Sequence, residues 1–235
     1  MSEKIFLSKT EYLKNHREKS ELFGLLPEWR WVKYQKIKNE QAECESLLAG
    51  MLLVKGLCRY AGIEGNEARD LFDSENHILQ ERKLIMGIDN KPLYYSISHS
   101  GGYVAVAYSD IPVGIDIETK DDKDFRVTAR MFSDEDKAYV GDSQKRFRDI
   151  WTVKESFLKC RGTGINVPLN SFSSELIADD ASSQHLSWNI VSKGLDISGK
   201  YYAVTGEAGD EKGCISICSE NPNLKLDIEW VEVLI

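Results

Sequence analysis

The sequence predicts an α+β chain built in two halves, and three observations carry that expectation. A helix followed by strands occurs twice along the 235 residues, so the elements come in runs and do not alternate as they would for a parallel α/β sheet. The strand-like stretches are joined by short connections bearing glycine or proline, which favour antiparallel neighbours. The composition, 42% apolar and 29% charged, is that of a globular chain and not of a disordered one. The length falls between one domain and two and is ample for a real core. Without a low-complexity segment or flexible linker, the halves, 1–118 and 119–235, are expected to pack as one compact unit.

The elements follow in order. The first 38 residues mix strand and loop signals, with a basic and aromatic cluster from Trp29 to Lys36. Asn39 can cap a long helix running to about Ala61, with Gly62 as its stop. Ala42, Leu47, Leu48, Met51, Leu52 and Cys58 fall near helical spacing, so this helix buries one face. Residues 93–118 read as a meander. Leu93–His99 runs into the turn Ser100-Gly101-Gly102, Tyr103–Ser109 returns, and Asp110-Ile111-Pro112 turns into Val113–Glu118. A polar stretch from Thr119 to Asp124 precedes helices at 125–140 and 144–160. Beyond Gly162-Thr163-Gly164, strands are expected at 186–193, 200–207, 213–219 and 226–234.

Charge and cysteine usage exclude several classes. The 30 basic residues against 38 acidic ones give a net charge of −8, which argues against a nucleic-acid partner but leaves room for a local basic groove. No apolar run approaches the ~20 residues needed to span a bilayer, and the start, Met1 to Leu7, lacks the form of a signal peptide. A cytoplasmic protein without a membrane partner is expected. Five scattered cysteines suit a reducing compartment better than a disulfide frame. Cys214 and Cys218 are four apart, with no neighbouring cluster to complete a zinc site.

Four segments can carry chemistry. In Val113-Gly114-Ile115-Asp116-Ile117-Glu118, strand alternation sends Ile115 and Ile117 to the core and Asp116 and Glu118 together to the other face, about 7 Å apart. Gly114 on that face leaves room for a ligand, and paired carboxylates suit a hard divalent cation. The plain alternative is an amphipathic strand with a solvated acidic face. Leu226-Asp227-Ile228-Glu229 has the same pattern without the glycine and reads as a simple edge strand. In Trp151-Thr152-Val153-Lys154-Glu155-Ser156-Phe157-Leu158-Lys159, Glu155 and Lys159 share one helical face. They are either a surface pair or a third carboxylate with a cation for phosphate. In Ser96-Ile97-Ser98-His99-Ser100-Gly101-Gly102, a hydroxyl, an imidazole and turn amides can hold a phosphate. A hydrolase triad is disfavoured there: the G-x-S-x-G elbow is missing, and Ser98 and His99 face opposite ways on a strand. Arg30, Lys33 and Lys36 are spaced to share a helical face, which read alone is a solvated basic face.

Taken together, these segments resemble the 4′-phosphopantetheinyl transferases of the Sfp type, from about residue 27 to the C-terminus. The matching blocks are Gly114-Ile115-Asp116 with Glu118, Trp151 through Lys159, Lys91-Pro92 with Ile97-Ser98-His99-Ser100, Ala129 to Ser133, and Gly162-Thr163-Gly164 through Pro168-Leu169. The resemblance implies a pseudo-dimer of two similar α+β halves with coenzyme A between them. It implies a Mg²⁺-dependent transfer of the phosphopantetheine arm of coenzyme A to a serine of an apo acyl or peptidyl carrier protein, releasing adenosine 3′,5′-bisphosphate. By the same resemblance Asp116, Glu118 and Glu155 hold Mg²⁺, and His99 and Lys159 contact the phosphates. Ser98, Lys91 and Pro92 line the adenosine side, and Arg30, Lys33 and Lys36 lie near the ribose 3′-phosphate. Glu155 is the candidate base for the serine proton, and Arg126 to Phe132 a candidate carrier-recognition patch. A monomer is expected, and carriers of non-ribosomal peptide, polyketide and fatty acid synthesis all stay open.

Two departures matter, and neither removes a proposed metal ligand. The residue before the Ile-Ser-His block, often asparagine in the family, is Ser96. The other lies in the first long helix. Where the family often has an Arg-Ser or Arg-Thr pair in the first long helix, this chain has Glu45-Ser46, and a carboxylate facing the pocket would repel the 3′-phosphate. This motivates a second reading, a non-catalytic module that binds coenzyme A or a carrier protein. A third, a metal-dependent hydrolase of nucleotide pyrophosphates, is disfavoured because the dense acidic helix such enzymes often carry is missing.

Overall fold

The computed structural model describes residues 3–13, 22, 24–73, 84–88, 91–121, 124–180, 185–195, 197, 200–209 and 213–233. The chain forms two compact units. One comprises Met1–Asp110 with Asp227–Ile235, the other Ile111–Leu226.

The first unit contains β1 (Lys4–Lys9), α1 (Glu28–Tyr34), α2 (Glu40–Ala61), α3 (Gly65–Asp73), β2 (Leu84–Ile88), β3 (Lys91–Ser100) and β4 (Tyr103–Ser109). The second contains β5 (Val113–Glu118), α4 (Phe125–Thr128), α5 (Asp134–Val140), α6 (Gln144–Arg161), β6 (Phe172–Asp180), β7 (His185–Ser192), β8 (Tyr201–Ala208) and β9 (Gly213–Ser219). The last strand, β10 (Ile228–Trp230), returns to the first unit. The sheets run β10-β1-β4-β3-β2 and β5-β9-β8-β7-β6.

In the first unit α2 begins and ends where its sequence places it. The Asn39 side chain accepts a hydrogen bond from the Ala42 amide, and Gly62 closes the helix at φ 70°, a left-handed conformation suited to glycine. Leu47, Leu48, Leu52, Leu53 and Leu57 are wholly buried in a core shared with Phe6, Val104, Val106 and Tyr108, each leucine contributing roughly 1.5–3 kcal/mol. The Tyr108 hydroxyl donates to the Leu53 carbonyl at 2.6 Å, which satisfies a buried polar tip. Gly101 and Gly102 turn β3 into β4 with φ of 56° and 89°, the two-residue turn that matches strand twist. β10 adds to β1 in parallel, tied by the Lys4–Asp227 and Arg59–Glu229 ion pairs. The plain edge strand expected around Asp227 and Glu229 is therefore what forms.

In the second unit α6 lies on an antiparallel sheet. Ser143 caps it by accepting from the Arg146 amide, and Gly162 ends it at φ 68°. Val153, Phe157, Leu158 and Cys160 join Phe172, Trp188, Tyr201 and Cys218 in the core. Lys154, on the same helix, is wholly buried. Its ammonium meets Asp136 Oδ2 at 2.7 Å and donates to the Leu169 and Phe172 carbonyls at 2.8 Å each. All three of its protons are used, which is what a buried ammonium requires.

Four expectations are corrected. The meander over 93–118 stops after β4, because β5 pairs with β9 in the other sheet. The boundary falls between Asp110 and Ile111, and 227–235 belongs to the first unit, since strand pairing overrides chain order. The helix expected over 125–140 is broken into α4, a 3₁₀ turn at Ala129–Met131, and α5. Ser133 accepts from the Asp136 amide there and starts a fresh helix. Strand β6 precedes the strands expected after Gly164.

Candidate active site

Gly114 determines how closely β5 and α6 approach. A Cβ there would lie 1.9 Å from the Ser156 carbonyl oxygen and 2.4 Å from the Cys160 amide nitrogen. The face expected to leave room for a ligand at Gly114 is instead filled by helix backbone. Glycine is needed for contact between strand and helix, and that contact brings α6 side chains within reach of the next residue on the same strand face.

That residue is Asp116. It is 7% exposed, and the Lys159 ammonium donates to its Oδ1 at 2.6 Å and to the Ile115 carbonyl at 3.1 Å. Glu155, one turn before Lys159 on the same helical face, is half-buried. Its carboxyl is pushed above the usual glutamate range, first by burial and then by the Asp116 charge, with Lys159 opposing both. Its Oε1 is buried and has no hydrogen-bond partner. Two neighbouring carboxylates, one with an unsatisfied oxygen, suit a hard divalent cation, for which oxygen donors are the ordinary ligands. Glu118 is half-buried and its Oε1 accepts from the Lys120 amide at 2.9 Å. Among the described residues no three His, Cys, Asp or Glu side chains are gathered as a metal-holding group. Asp116 and Glu155 lie close enough for their charges to interact.

Behind Asp116 the sheet is held to the helix by hydroxyls. Asp116 lies opposite Ser216 in register. The Ser216 hydroxyl shares hydrogen bonds of 2.7 Å with Thr152 of α6 and Thr205 of β8, and Thr152 also donates to the Arg148 carbonyl. The network fixes α6 on the sheet at the level of the carboxylates.

The remaining candidates lie in the first unit. His99 Nδ1 sits 2.9 Å from Glu45 Oε2. Glu45 Oε1 accepts from the Gly102 amide and from Gln41 Nε2, both at 2.9 Å. Ser98 is buried on the opposite strand face from the exposed His99. Pro92 is exposed near the start of β3, and the Lys91 side chain lies outside the described residues. The basic trio does not share a helical face. Lys36 lies past the end of α1, Lys33 is exposed, and Arg30 is buried. The Arg30 guanidinium donates to the Ser46 carbonyl at 3.2 Å and lies over the Trp29 ring. Burial lowers its pKa to about 10. Arg30 Nε and the Ser46 hydroxyl are both buried without a partner.

Sequence reasoning missed two residues here. Lys154 passes for another charged motif residue, although Ile150, Lys154 and Leu158 recur at the four-residue interval of a buried stripe. Glu45 reads as a repulsive group, and nothing in sequence spacing announces its meeting with His99. In the expected recognition patch, Val127 and Met131 are exposed beside Arg126 and Arg130. Phe132 is not part of it: it is wholly buried and stacks on Phe147.

Residues 112–210, which include β5 and α6, match the model of the 4′-phosphopantetheinyl transferase superfamily. That region is thus similar to this superfamily, and curated relatives resemble the chain over a longer stretch. It is 32% identical over 143 residues to the 4′-phosphopantetheinyl transferase Sfp of Bacillus subtilis (strain 168), covering 59% of this chain and 60% of that one. It is 28% identical over 147 residues to the 4′-phosphopantetheinyl transferase gsp of Aneurinibacillus migulanus, covering 60% and 57%. With psf-1 of Bacillus pumilus, also a 4′-phosphopantetheinyl transferase, the identity is 38% over 91 residues, 37% of this chain and 39% of that one. The matches thus span less than two thirds of these relatives. Among the described residues no single helix is long and apolar enough to cross a membrane.

Proposed function

We propose that this chain is an enzyme that transfers the 4′-phosphopantetheine arm of coenzyme A to a serine of an apo carrier protein and releases adenosine 3′,5′-bisphosphate. One observation carries this reading. Asp116, Glu155 and Lys159, from two distant segments of the region that matches the superfamily, meet in one cluster. The match of residues 112–210 to the superfamily and the likeness to its curated relatives support the coenzyme A and carrier-protein assignment, and also the reading of the two units as halves of a pseudo-dimer.

Asp116 and Glu155 would hold Mg²⁺, with Glu118 as a third ligand once it leaves the Lys120 amide. The ion, when bound, neutralises charge on the pyrophosphate of coenzyme A. The serine oxygen attacks the β-phosphorus and the bond to the leaving bisphosphate breaks. Lys159, preorganised by Asp116, supplies positive charge where negative charge collects, and needs no rearrangement at the moment of reaction. Glu155 accepts the serine proton directly or through water. His99 meets the phosphates, and Ser98, Lys91 and Pro92 the adenosine. The unpartnered Arg30 Nε and Ser46 hydroxyl are donors suited to an anion beside Lys33 and Lys36. Val127 and Met131, flanked by Arg126 and Arg130, present an apolar and basic surface to an acidic carrier. The chain acts as a cytoplasmic monomer in this reading.

Intact-mass spectrometry of several apo carrier proteins, incubated with this protein, coenzyme A and Mg²⁺, tests the proposal. A gain of one phosphopantetheine mass on at least one carrier is expected, and no gain on any of them overturns it.

A further inference from the structure

We propose that Glu45 is a positioning residue for His99, and that its charge strengthens the binding of a phosphorylated ligand instead of repelling it. The inference rests on the reading of His99 as a phosphate contact. Its physical content lies wholly within the first unit.

Glu45 is 7% exposed, and both of its oxygens are engaged. Oε1 accepts from the Gly102 amide and Gln41 Nε2, and Oε2 lies 2.9 Å from His99 Nδ1. An ionised carboxylate can only accept hydrogen bonds, so Nδ1 must carry a proton. Nε2 is then the nitrogen left for a ligand, on a side chain that is half exposed. In a neutral ring of this tautomer Nε2 presents a lone pair, which a phosphate oxygen repels. A phosphate is met instead by the doubly protonated ring, whose charge the carboxylate behind it balances. That ring donates from Nδ1 to Glu45 and from Nε2 to the phosphate.

The surroundings hold this arrangement in place. Gly102 has φ +89°, and a Cβ there would come 2.9 Å from Thr10 Oγ1 and 3.3 Å from Gln41 Nε2. The turn that supplies the amide is therefore confined on both sides. Glu45 comes from the interior of α2, so hairpin and helix together fix the carboxylate against the ring. On the neighbouring strand the register partner of His99 is Val104, which has no charge to compete. The negative charge that looks misplaced in the sequence is thus spent on three donors.

The test has two arms. In the first, calorimetric titration with coenzyme A compares the wild type, Glu45→Gln, His99→Gln and the double variant. Glu45→Gln should bind about tenfold more weakly, the order seen when a group that orients a ligating histidine is removed. Adding it to His99→Gln should cost nothing further. Tighter binding by Glu45→Gln, or losses that simply add, would overturn the proposal. In the second arm, long-range ¹⁵N spectra of the histidine rings in the ligand-free wild type should show the His99 proton on Nδ1. A ring protonated on Nε2 alone defeats the claim about Glu45 whatever the ligand. A wild type that fails to bind coenzyme A removes the functional reading, and the affinity claim with it, even where the ring spectrum comes out as expected.

Discussion

Replacing Gly114 with alanine should damage both fold and chemistry, by an amount the geometry sets. The added Cβ would stand 1.9 Å from the Ser156 carbonyl oxygen, more than an ångström short of the 3.0 Å that real Cβ contacts keep. The obstacle is helix backbone, so no side chain can swing aside and α6 must move bodily off β5. Overpacking of this kind costs about 3 kcal/mol. With a urea m value of about 2–3 kcal/mol/M, the unfolding midpoint should fall by roughly 1 M at unchanged m. The same shift draws Lys159 and Glu155 away from Asp116, and a displacement of that size at reacting groups costs about 10²-fold in rate. Urea denaturation followed by tryptophan fluorescence, paired with a carrier-mass assay on the folded protein, reads both effects. Gly65→Ala is the control: nothing lies within 4 Å of its added Cβ, and the midpoint should hardly move. A Gly114→Ala protein as stable and active as the wild type would refute the claim that strand and helix are in backbone contact.

Other outcomes follow from particular contacts. Lys154→Met leaves Asp136 charged and wholly buried without its partner, which should cost about 3–5 kcal/mol of unfolding free energy; a chemical-denaturation midpoint close to the wild type's would contradict the buried pair. The Glu155 carboxyl is raised above its unfolded value of 4.5 by burial and by Asp116. Its charged form therefore costs stability, absent below that value and growing as the pH rises through the folded pKa. Glu155→Gln should melt higher than the wild type at pH 8 without Mg²⁺, with the gap closing toward pH 4.5. A gap independent of pH in thermal melts would show that the charge is not the cause. Val127→Asp with Met131→Asp should raise KM for the carrier and leave KM for coenzyme A unchanged, and steady-state kinetics with each substrate varied in turn would expose an equal effect on both.

Local signals in the sequence were dependable where local physics decides. Asn39 and Gly62 bound α2 because capping and left-handed closure involve only neighbouring residues. Gly101-Gly102 makes its hairpin for the same reason. What required the folded chain was the choice among partners. Asp110-Ile111-Pro112 turns the chain equally well into a third meander strand or into another sheet, and only the pairing of β5 with β9 decides. The helical spacing of Glu155 and Lys159 was legible, but their meeting with Asp116 was not, because it depends on Gly114 touching α6. Arg30 shows the converse: its three-residue spacing to Lys33 suggested a shared basic face, yet the side chain turns inward to Trp29 and Ser46. Glu45 was visible as a departure from the family, while its bond to His99 was a matter of tertiary contact.

The most direct test of the account is the transfer rate of Asp116→Asn, measured under single-turnover conditions by carrier mass with saturating coenzyme A and Mg²⁺. The variant keeps the size of the side chain but removes the negative charge that holds Lys159. A fall of about 10²- to 10³-fold in a protein that still folds is the predicted result, the scale of losing a principal electrostatic contact in a transfer reaction. A rate within a few fold of the wild type would contradict the assignment of the chemistry to this cluster.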